Sequence, residues 1–212
     1  DRGVTVEFWL KKSEFLRETK SENNRTDKEV IFDLWNNEAS SSEGWGRLTV
    51  ELTSSLTGSP FRVSAQSGTF TGDSSGIVRG YHNETIGSSL TYLDVTDDKW
   101  KHFAFTFANS GSSISTKLYV TGTSIGEVTG ALHANIGALI TSPSGNVYDG
   151  ASMQGYGKLS GSLDDFRFWK VSRTSEQIGR NWFTNVHGGT NLDNDKYDKY
   201  NPVDLEVYFK FN

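Results

Sequence analysis

Apolar and polar residues alternate in several short segments of this 212-residue chain, and this period of two is its most constraining feature. In the segment VTVEFWL (4–10), Phe8 and Leu10 fall on one face, while Glu7 and Trp9 fall on the other. Such alternation is typical of antiparallel strands that bury one face in a core and expose the other to water. It therefore predicts an all-β antiparallel fold of two packed sheets. Similar segments lie at 48–52, 103–107 and 205–211.

Further strands are predicted between clusters of Gly, Ser, Asn and Asp, which favour turns. These strands are expected at 30–35, 60–66, 76–82, 89–94, 116–122, 133–139 and 161–169. One segment departs from the period of two. Thr174 can cap a helix and Gln177 can complete a capping box, so a short helix is predicted near 174–183.

Composition excludes several classes of protein. The net charge is −5 with no basic stripe, which disfavours a nucleic-acid partner. No apolar run approaches the roughly 20 residues needed to cross a bilayer, so membrane insertion is not expected. The chain contains no cysteine, and hence no disulfide or thiolate chemistry. It opens almost directly with a strand, as expected of a segment of a longer polypeptide.

Asp164 and Asp165 are adjacent acids within the last predicted strand of the main run. Alternation places Asp164 on the side of Phe166 and Asp165 on the side of Arg167. Side chains on opposite faces cannot act as a paired acid and base on one substrate atom. We therefore predict that Asp164 accepts backbone N–H bonds at a strand end and that Asp165 pairs with a cation on a neighbouring strand, so neither is catalytic.

Five motifs in order resemble a laminin G-like domain of the concanavalin A-like lectin/glucanase superfamily, of the kind found in bacterial surface and phage virion proteins. They are VTVEFWLKK (4–12), DKWKHFAFTF (98–107), KLYVTGTSIGEV (117–128), NIG (135–137) and GSLDDFRFWKVSRTSEQI (161–178). Thr121 stands where the family usually has Asp. The resemblance implies a jelly-roll sandwich at 1–190. The remainder, 191–212, is predicted to be a polar linker followed by a strand that either closes this domain or begins another.

The resemblance implies a non-catalytic recognition or adhesion module of a larger surface or virion protein, binding glycan or protein through rim loops. A purely structural module, a decoration or spacer of a phage virion or fibre, is the alternative. Retaining hydrolases of the superfamily carry an E-x-D-x-x-E string, since they need two carboxylates about 5–5.5 Å apart. This sequence lacks that string, so an enzyme is not expected. The expected location is a virion, the extracellular space or a cell surface.

Aromatic side chains in loops are the candidate sugar contacts, because an aromatic face is apolar and can carry a polar rim. Trp45 and, in the long glycine-rich stretch 140–158, Tyr148 and Tyr156 are the candidate ligand-binding residues. The strand tryptophans are expected to pack internally: Trp9, Trp35, Trp100 and Trp169.

Calcium is the one cofactor that the resemblance implies, because relatives bind it at the sandwich rim through carboxylate and carbonyl oxygens. Asp149 and Asp73 lie in predicted loops and are the candidate metal ligands. The alternative, that both are solvent-exposed loop acids that bind no metal, stays open. His102 is expected to be structural.

Overall fold

The computed structural model describes residues 3–15, 28–35, 46–53, 58–70, 77–110, 113–130, 140–141, 159–184 and 204–211. Eleven strands and two short helices are defined within these residues. The strands are β1 (Val4–Lys11), β2 (Lys28–Trp35), β3 (Gly46–Thr53), β4 (Phe61–Phe70), β5 (Ile77–Ile86), β6 (Lys101–Ser110), β7 (Ser113–Val120), β8 (Thr123–Gly130), β9 (Ile140–Thr141), β10 (Ser162–Trp169) and β11 (Leu205–Phe209). The helices are α1 (Tyr92–Val95) and α2 (Ser175–Asn181).

The strands form two antiparallel sheets, as the alternation predicts. The six-stranded sheet has the order β11-β10-β1-β6-β7-β8, and the five-stranded sheet has the order β5-β4-β3-β2-β9. Aromatic rings join the two sheets across the core. Phe61 of β4 lies 5.1 Å from Phe103 and 5.3 Å from Phe105, centroid to centroid. Each such buried ring contributes roughly 1.5–3 kcal/mol relative to an exposed one.

A buried ion pair also joins the sheets at one end. Lys12 follows β1, and its Nζ lies 2.7 Å from Oε1 of Glu29 in β2. The same Glu29 oxygen accepts the backbone N–H of Ser160 at 2.7 Å. Both charged side chains are almost completely buried. The pair therefore fixes the ends of β1 and β2 to the entry of β10.

Helix α2 covers the outer face of the six-stranded sheet. The alternation predicted that this face meets water, yet Thr5 and Glu7 of β1 are completely buried. Thr5 donates a hydrogen bond to the Val171 carbonyl (2.7 Å) and accepts the Arg173 N–H (2.8 Å). Ile178 forms a second, smaller apolar cluster with two residues of the sheet, Ala104 and Tyr119. The sequence shows this face as polar because its cover comes from a distant segment.

The start of α2 agrees with its prediction. Thr174 is the N-cap, its hydroxyl accepts the Gln177 N–H, and the Gln177 side chain accepts the Thr174 N–H.

The strand predicted at 89–94 is wrong. Thr91 and Asp94 form a second capping box that starts α1 at Tyr92. Two reciprocal hydrogen bonds at a helix start outweigh the weak alternation of SLTYLD.

At the other edge of the six-stranded sheet, β11 pairs antiparallel with β10. The pairing shifts register between Phe168 and Trp169, which breaks the alternation of this segment. Phe209 and Phe211, expected to point inward, are 52% and 55% exposed.

Most of the predicted linker lies outside the described residues, so the division into 1–190 and 191–212 stays a prediction. No helix among the described residues is long and apolar enough to cross a membrane.

Candidate functional site

A buried charge network lies between α2 and the sheet. Nη1 of Arg173 donates to Oε1 of Glu7 at 2.5 Å, and Nε2 of His102 lies 3.3 Å from Oε2 of Glu7. Nη1 of Arg167 lies 3.9 Å from the same oxygen. Arg167 also pairs with Asp165 and donates to the carbonyl of Asn181, the last residue of α2. These residues are all less than 10% exposed, so the network holds α2 in place and is closed to substrate.

The network keeps Glu7 ionised. Burial alone raises the pKa of Glu7, but the Arg173 guanidinium, the His102 contact and Arg167 together outweigh burial and hold it well below its usual value. A buried carboxylate is stable only when it is paired in this way. His102, which was expected to be structural, is buried in this network.

The adjacent acids form the predicted kinds of contact, but the cation beside Asp165 lies on its own strand β10 rather than across strands, and the faces also differ from the prediction. Asp164 accepts the backbone N–H of Asp165 at 2.7 Å, and Asp165 pairs with Arg167. However, Asp165 has a φ of +51°, and the register between β1 and β10 shifts beside it. This β-bulge moves Asp164 to the face of Trp9, its partner in register. The prediction that Asp164 shares a side with Phe166 is therefore wrong.

An aromatic patch lies on the outer face of the six-stranded sheet, at the C-terminal end of α2. We define it as Trp9, Trp182 and Phe183. The rings of Trp9 and Trp182 are 5.6 Å apart, and those of Trp182 and Phe183 are 5.4 Å apart in an edge-on arrangement. Both tryptophans are half-buried, while Phe183 is 64% exposed. The patch therefore offers a contiguous apolar surface to solvent.

The glycine at 122 allows Trp182 to reach this position. Gly122, in the turn between β7 and β8, has a φ of +80°, and a Cβ there would lie 2.3 Å from Cδ1 of Trp182. The same Cβ would lie 3.1 Å from the Cα of Gly179, so the turn also packs closely against α2. His102 packs beneath, with its ring 6.1 Å from that of Trp182. The tryptophan is thus held between the turn, α2 and the sheet.

Polar side chains border the aromatic patch. Asp164 is half-buried and is the register partner of Trp9 on β10. On the same face of β1, Lys11 lies two residues beyond Trp9, and its Nζ is 3.7 Å from Oδ1 of Asp98. The patch therefore combines ring faces with a carboxylate and an ammonium group.

The outer face of the five-stranded sheet is more closed. Asp33 of β2 receives Nε of Arg47 at 2.8 Å and the Thr49 hydroxyl at 3.2 Å, and a second Arg47 nitrogen completes a two-point pair. Arg47, Thr49 and Glu51 are each at most 9% exposed. These groups mainly satisfy one another, which leaves little for a ligand.

The residues selected from the sequence lie outside the described part of the chain: Trp45, Tyr148, Tyr156, Asp149 and Asp73. Their neighbours in sequence do have positions. Arg47, two residues after Trp45, pairs with Trp35, which also pairs with Ile140 at the start of the 140–158 stretch. Among the described residues, Trp35 at the end of β2 is thus in register with one residue near each of these two stretches of sequence.

Predictions for the strand tryptophans have mixed outcomes. Trp169 is buried, with the Arg173 guanidinium 4.2 Å from its ring centroid, as expected of a packed residue. Trp100 precedes β6 and is 44% exposed, so its expected packing is wrong. Trp9 and Trp182 were not predicted as site residues. Two features of the sequence could have indicated them: alternation puts Trp9 on the outer face of its strand, and Trp182 follows Ile178 by one helical turn.

The described residues contain no group of three or more His, Asp or Glu side chains that could hold a metal ion. The expected calcium ligands, Asp149 and Asp73, are not among them. Calcium binding thus stays a prediction.

Two packed antiparallel sheets, one covered by a short helix and bearing an aromatic patch, define a lectin-like β-sandwich. The Laminin_G_3 family model, described as the Concanavalin A-like lectin/glucanases superfamily, matches residues 1–179. The chain belongs to this family.

Solved structures with a similar fold come from several organisms. A proposed carbohydrate binding protein from Bacteroides ovatus is 15% identical with a TM-score of 0.49; the match covers 99% of this chain but only 45% of that protein. A heptameric SAP-like pentraxin from Limulus polyphemus is 16% identical with a TM-score of 0.42, covering 84% and 68%. The CBM40 of a Ruminococcus gnavus sialidase, bound to α2,3-sialyllactose, is 10% identical with a TM-score of 0.42, covering 85% and 83%. None of the curated proteins compared matches the chain.

Proposed function

We propose that this chain is a non-catalytic recognition module that binds glycan through the aromatic patch of Trp9, Trp182 and Phe183. The observation that carries the proposal is the contiguous, solvent-facing set of three rings bordered by Asp164. Membership of a lectin and glucanase superfamily supports a saccharide as the ligand class.

The chemistry of the patch suits a sugar ring. One face of a pyranose is largely C–H and can lie against an aromatic ring, whose own surface is apolar. Its hydroxyl groups both donate and accept hydrogen bonds. Asp164 can accept from such a hydroxyl and Lys11 can donate to one.

A hydrolase is not supported by the acids near the patch. Glycosidases need two available carboxyl groups, about 5–10 Å apart, on either side of the scissile bond. Glu7 and Asp165 are buried and paired with arginines, which leaves Asp164 as the available acid among the described residues of β1 and β10. One carboxylate can bind a sugar but cannot supply both catalytic roles.

The loop residues extend this proposal. Trp45, Tyr148 and Tyr156 remain candidate contacts, and Asp149 and Asp73 remain candidate calcium ligands. We also propose that the rim loops can contact a protein partner. The proposed location of the module is a cell surface or a virion. Each binding measurement is therefore made both with calcium and with a chelator.

The test compares two exposed phenylalanines on a glycan array and by calorimetry with the best saccharide found. Phe183→Ala removes one ring of the patch, and we expect about a 2- to 13-fold loss of affinity, since an aromatic contact contributes roughly 0.5–1.5 kcal/mol. Phe211→Ala is the matched control, because Phe211 is similarly exposed but follows the edge strand β11, where its ring contacts that of Phe209. Its affinity should equal that of the wild type.

Two results would contradict the proposal. One is an array without any hit in either calcium condition. The other is equal affinity of the two variants for the saccharide that binds.

A purely structural module is the second candidate. The exposed Phe209, the last residue of the edge strand β11, and Phe211 just after it favour this candidate, since large exposed apolar residues at a sheet edge suit contact with another protein. Light scattering of Phe209→Lys beside the wild type would test it. A wild-type oligomer that becomes monomeric in the variant supports assembly, and a wild-type monomer at high concentration contradicts self-assembly.

A further inference from the structure

We infer that the aromatic patch selects glycans that carry free amino groups, such as chains of glucosamine, over their N-acetylated and acidic counterparts. This inference rests on the proposed function, because it concerns the same three rings. Its basis is the charge of Asp164 and the way in which the neighbouring charges are already paired.

Asp164 is a carboxylate without a charged partner among the described residues. Its neighbour Asp165 is paired with Arg167, and the nearest cation on β1, Lys11, is directed to Asp98. One oxygen of Asp164 accepts the Asp165 N–H, a bond that leaves its charge uncompensated. A half-buried carboxylate in this state favours a cationic ligand, because a charge-assisted hydrogen bond is stronger than a neutral one.

The adjacent rings favour the same ligand charge. Trp9 is the register partner of Asp164, and side chains of such pairs have Cβ atoms about 5 Å apart. An ammonium group within about 6 Å of a tryptophan face is attracted to the ring, and tryptophan is the strongest of the aromatic residues in this respect. Trp182 contacts Trp9 on the side away from Asp164, toward His102. An ammonium bound by Asp164 would therefore also contact an aromatic face.

The surrounding surface disfavours acidic sugars. Helix α1 and the loop between it and β6 carry Asp94, Asp97 and Asp98, of which Asp97 is paired with Lys101 and Asp98 with Lys11. The chain as a whole has a net charge of −5. Like charges near a binding site reduce the affinity of an anionic ligand.

The experiment uses two tetrasaccharides that differ only in their amino groups, glucosamine and N-acetylglucosamine, with calorimetry on the wild-type chain. We expect the glucosamine tetramer to bind at least 10-fold more tightly at low ionic strength. The difference should shrink at 1 M salt, because exposed charges are then screened over about 3 Å. Asp164→Asn should bring the two affinities within about 2-fold. Glu127→Gln, a half-exposed acid on β8, is the control and should keep the preference.

The outcomes separate the two proposals. Equal affinities of the wild type for both tetramers, or a preference that survives Asp164→Asn, would overturn the amino selectivity while leaving glycan binding intact. If neither tetramer binds but another saccharide binds in a Phe183-dependent manner, the selectivity is again wrong and the patch remains a glycan site. If no saccharide depends on Phe183, both are wrong.

Discussion

Asp165 combines a buried charge with a backbone conformation that L-residues seldom adopt. Its φ of +51° lies in the left-handed region, where Asp and Asn are tolerated better than most residues. Its carboxylate pairs with Arg167, which is buried beneath α2. Asp is therefore a suitable residue here for two reasons. It tolerates the left-handed backbone conformation, and its carboxylate neutralises the buried charge of Arg167.

Replacing Asp165 separates these two effects. Asp165→Ala removes the pair and keeps a Cβ, so we expect a loss of about 3–5 kcal/mol in the free energy of unfolding. Asp165→Gly also removes the pair but relieves the backbone, and it should be about 1–2 kcal/mol more stable than the alanine variant. Urea unfolding of the three proteins measures both differences. Equal stability of the two variants would show that the backbone carries no strain.

The sequence predicted that Asp164 would accept a backbone N–H and that Asp165 would pair with a cation, but it predicted neither the strand of that cation nor the faces of the two acids. Partner types follow from residue chemistry, since a buried strand carboxylate needs a donor. The face depends on a bulge, and the bulge here has no glycine to mark it. A single extra residue was enough to move Asp164 beside Trp9 and so to create the polar border of the patch.

Among the elements, the turn between β7 and β8 and helix α2 together position Trp182. Gly122→Ala should cost about 1–3 kcal/mol, because its Cβ would overlap the Trp182 ring and its φ is +80°. The displaced ring should also change the tryptophan fluorescence and weaken glycan binding. Gly126→Ala on β8 is the control, since the nearest atoms to its Cβ are at 3.7 Å. Equal effects of the two substitutions would contradict the packing described.

Elements with a strong local signal were predictable, and those without it were not. The capping box at Thr174 gave α2, and strict alternation gave β1 and β6. The same capping chemistry at Thr91 was overlooked in favour of a strand. β8 was not predicted, because TSIGEVTG lacks alternation and is a strand only through its pairing with β7.

For the whole molecule, the buried network predicts a dependence of stability on acid. The pKa of Glu7 is lower in the folded chain than its ordinary value of about 4.3. As pH falls below that value, the unfolded state takes up the proton first, so stability present at neutral pH is lost. Wild-type unfolding should lose about 1 kcal/mol per pH unit from this group.

Glu7→Gln removes that contribution. Its free energy of unfolding should be lower at pH 7, and its decline between pH 4 and pH 2.5 should be shallower than that of the wild type. Glu127→Gln, whose carboxylate is half-exposed, is the control and should follow the wild-type curve. Parallel curves for Glu7→Gln and wild type would show that Glu7 does not titrate with unfolding.

The two-sheet architecture was predictable from the sequence, whereas the candidate site was not. Alternating residues such as Phe103 and Phe105 identify the core directly, because every second residue of a strand faces the same side and these apolar side chains are buried there. The patch joins Trp9 to Trp182, residues brought together only after α2 docks on the sheet. No local pattern encodes that docking.

The central place of β1 has a consequence for synthesis of the chain. β1 pairs with β6 on one side and with β10 on the other, although Val4–Lys11 precedes Ser162–Trp169 by most of the chain. At roughly 5–20 residues per second, a ribosome delivers β10 on the order of ten seconds after β1. Both edges of β1 lack a partner until β6 is made, and one edge still lacks its partner until translation passes Trp169, so the nascent polypeptide is open to chaperones and to wrong pairings for that time.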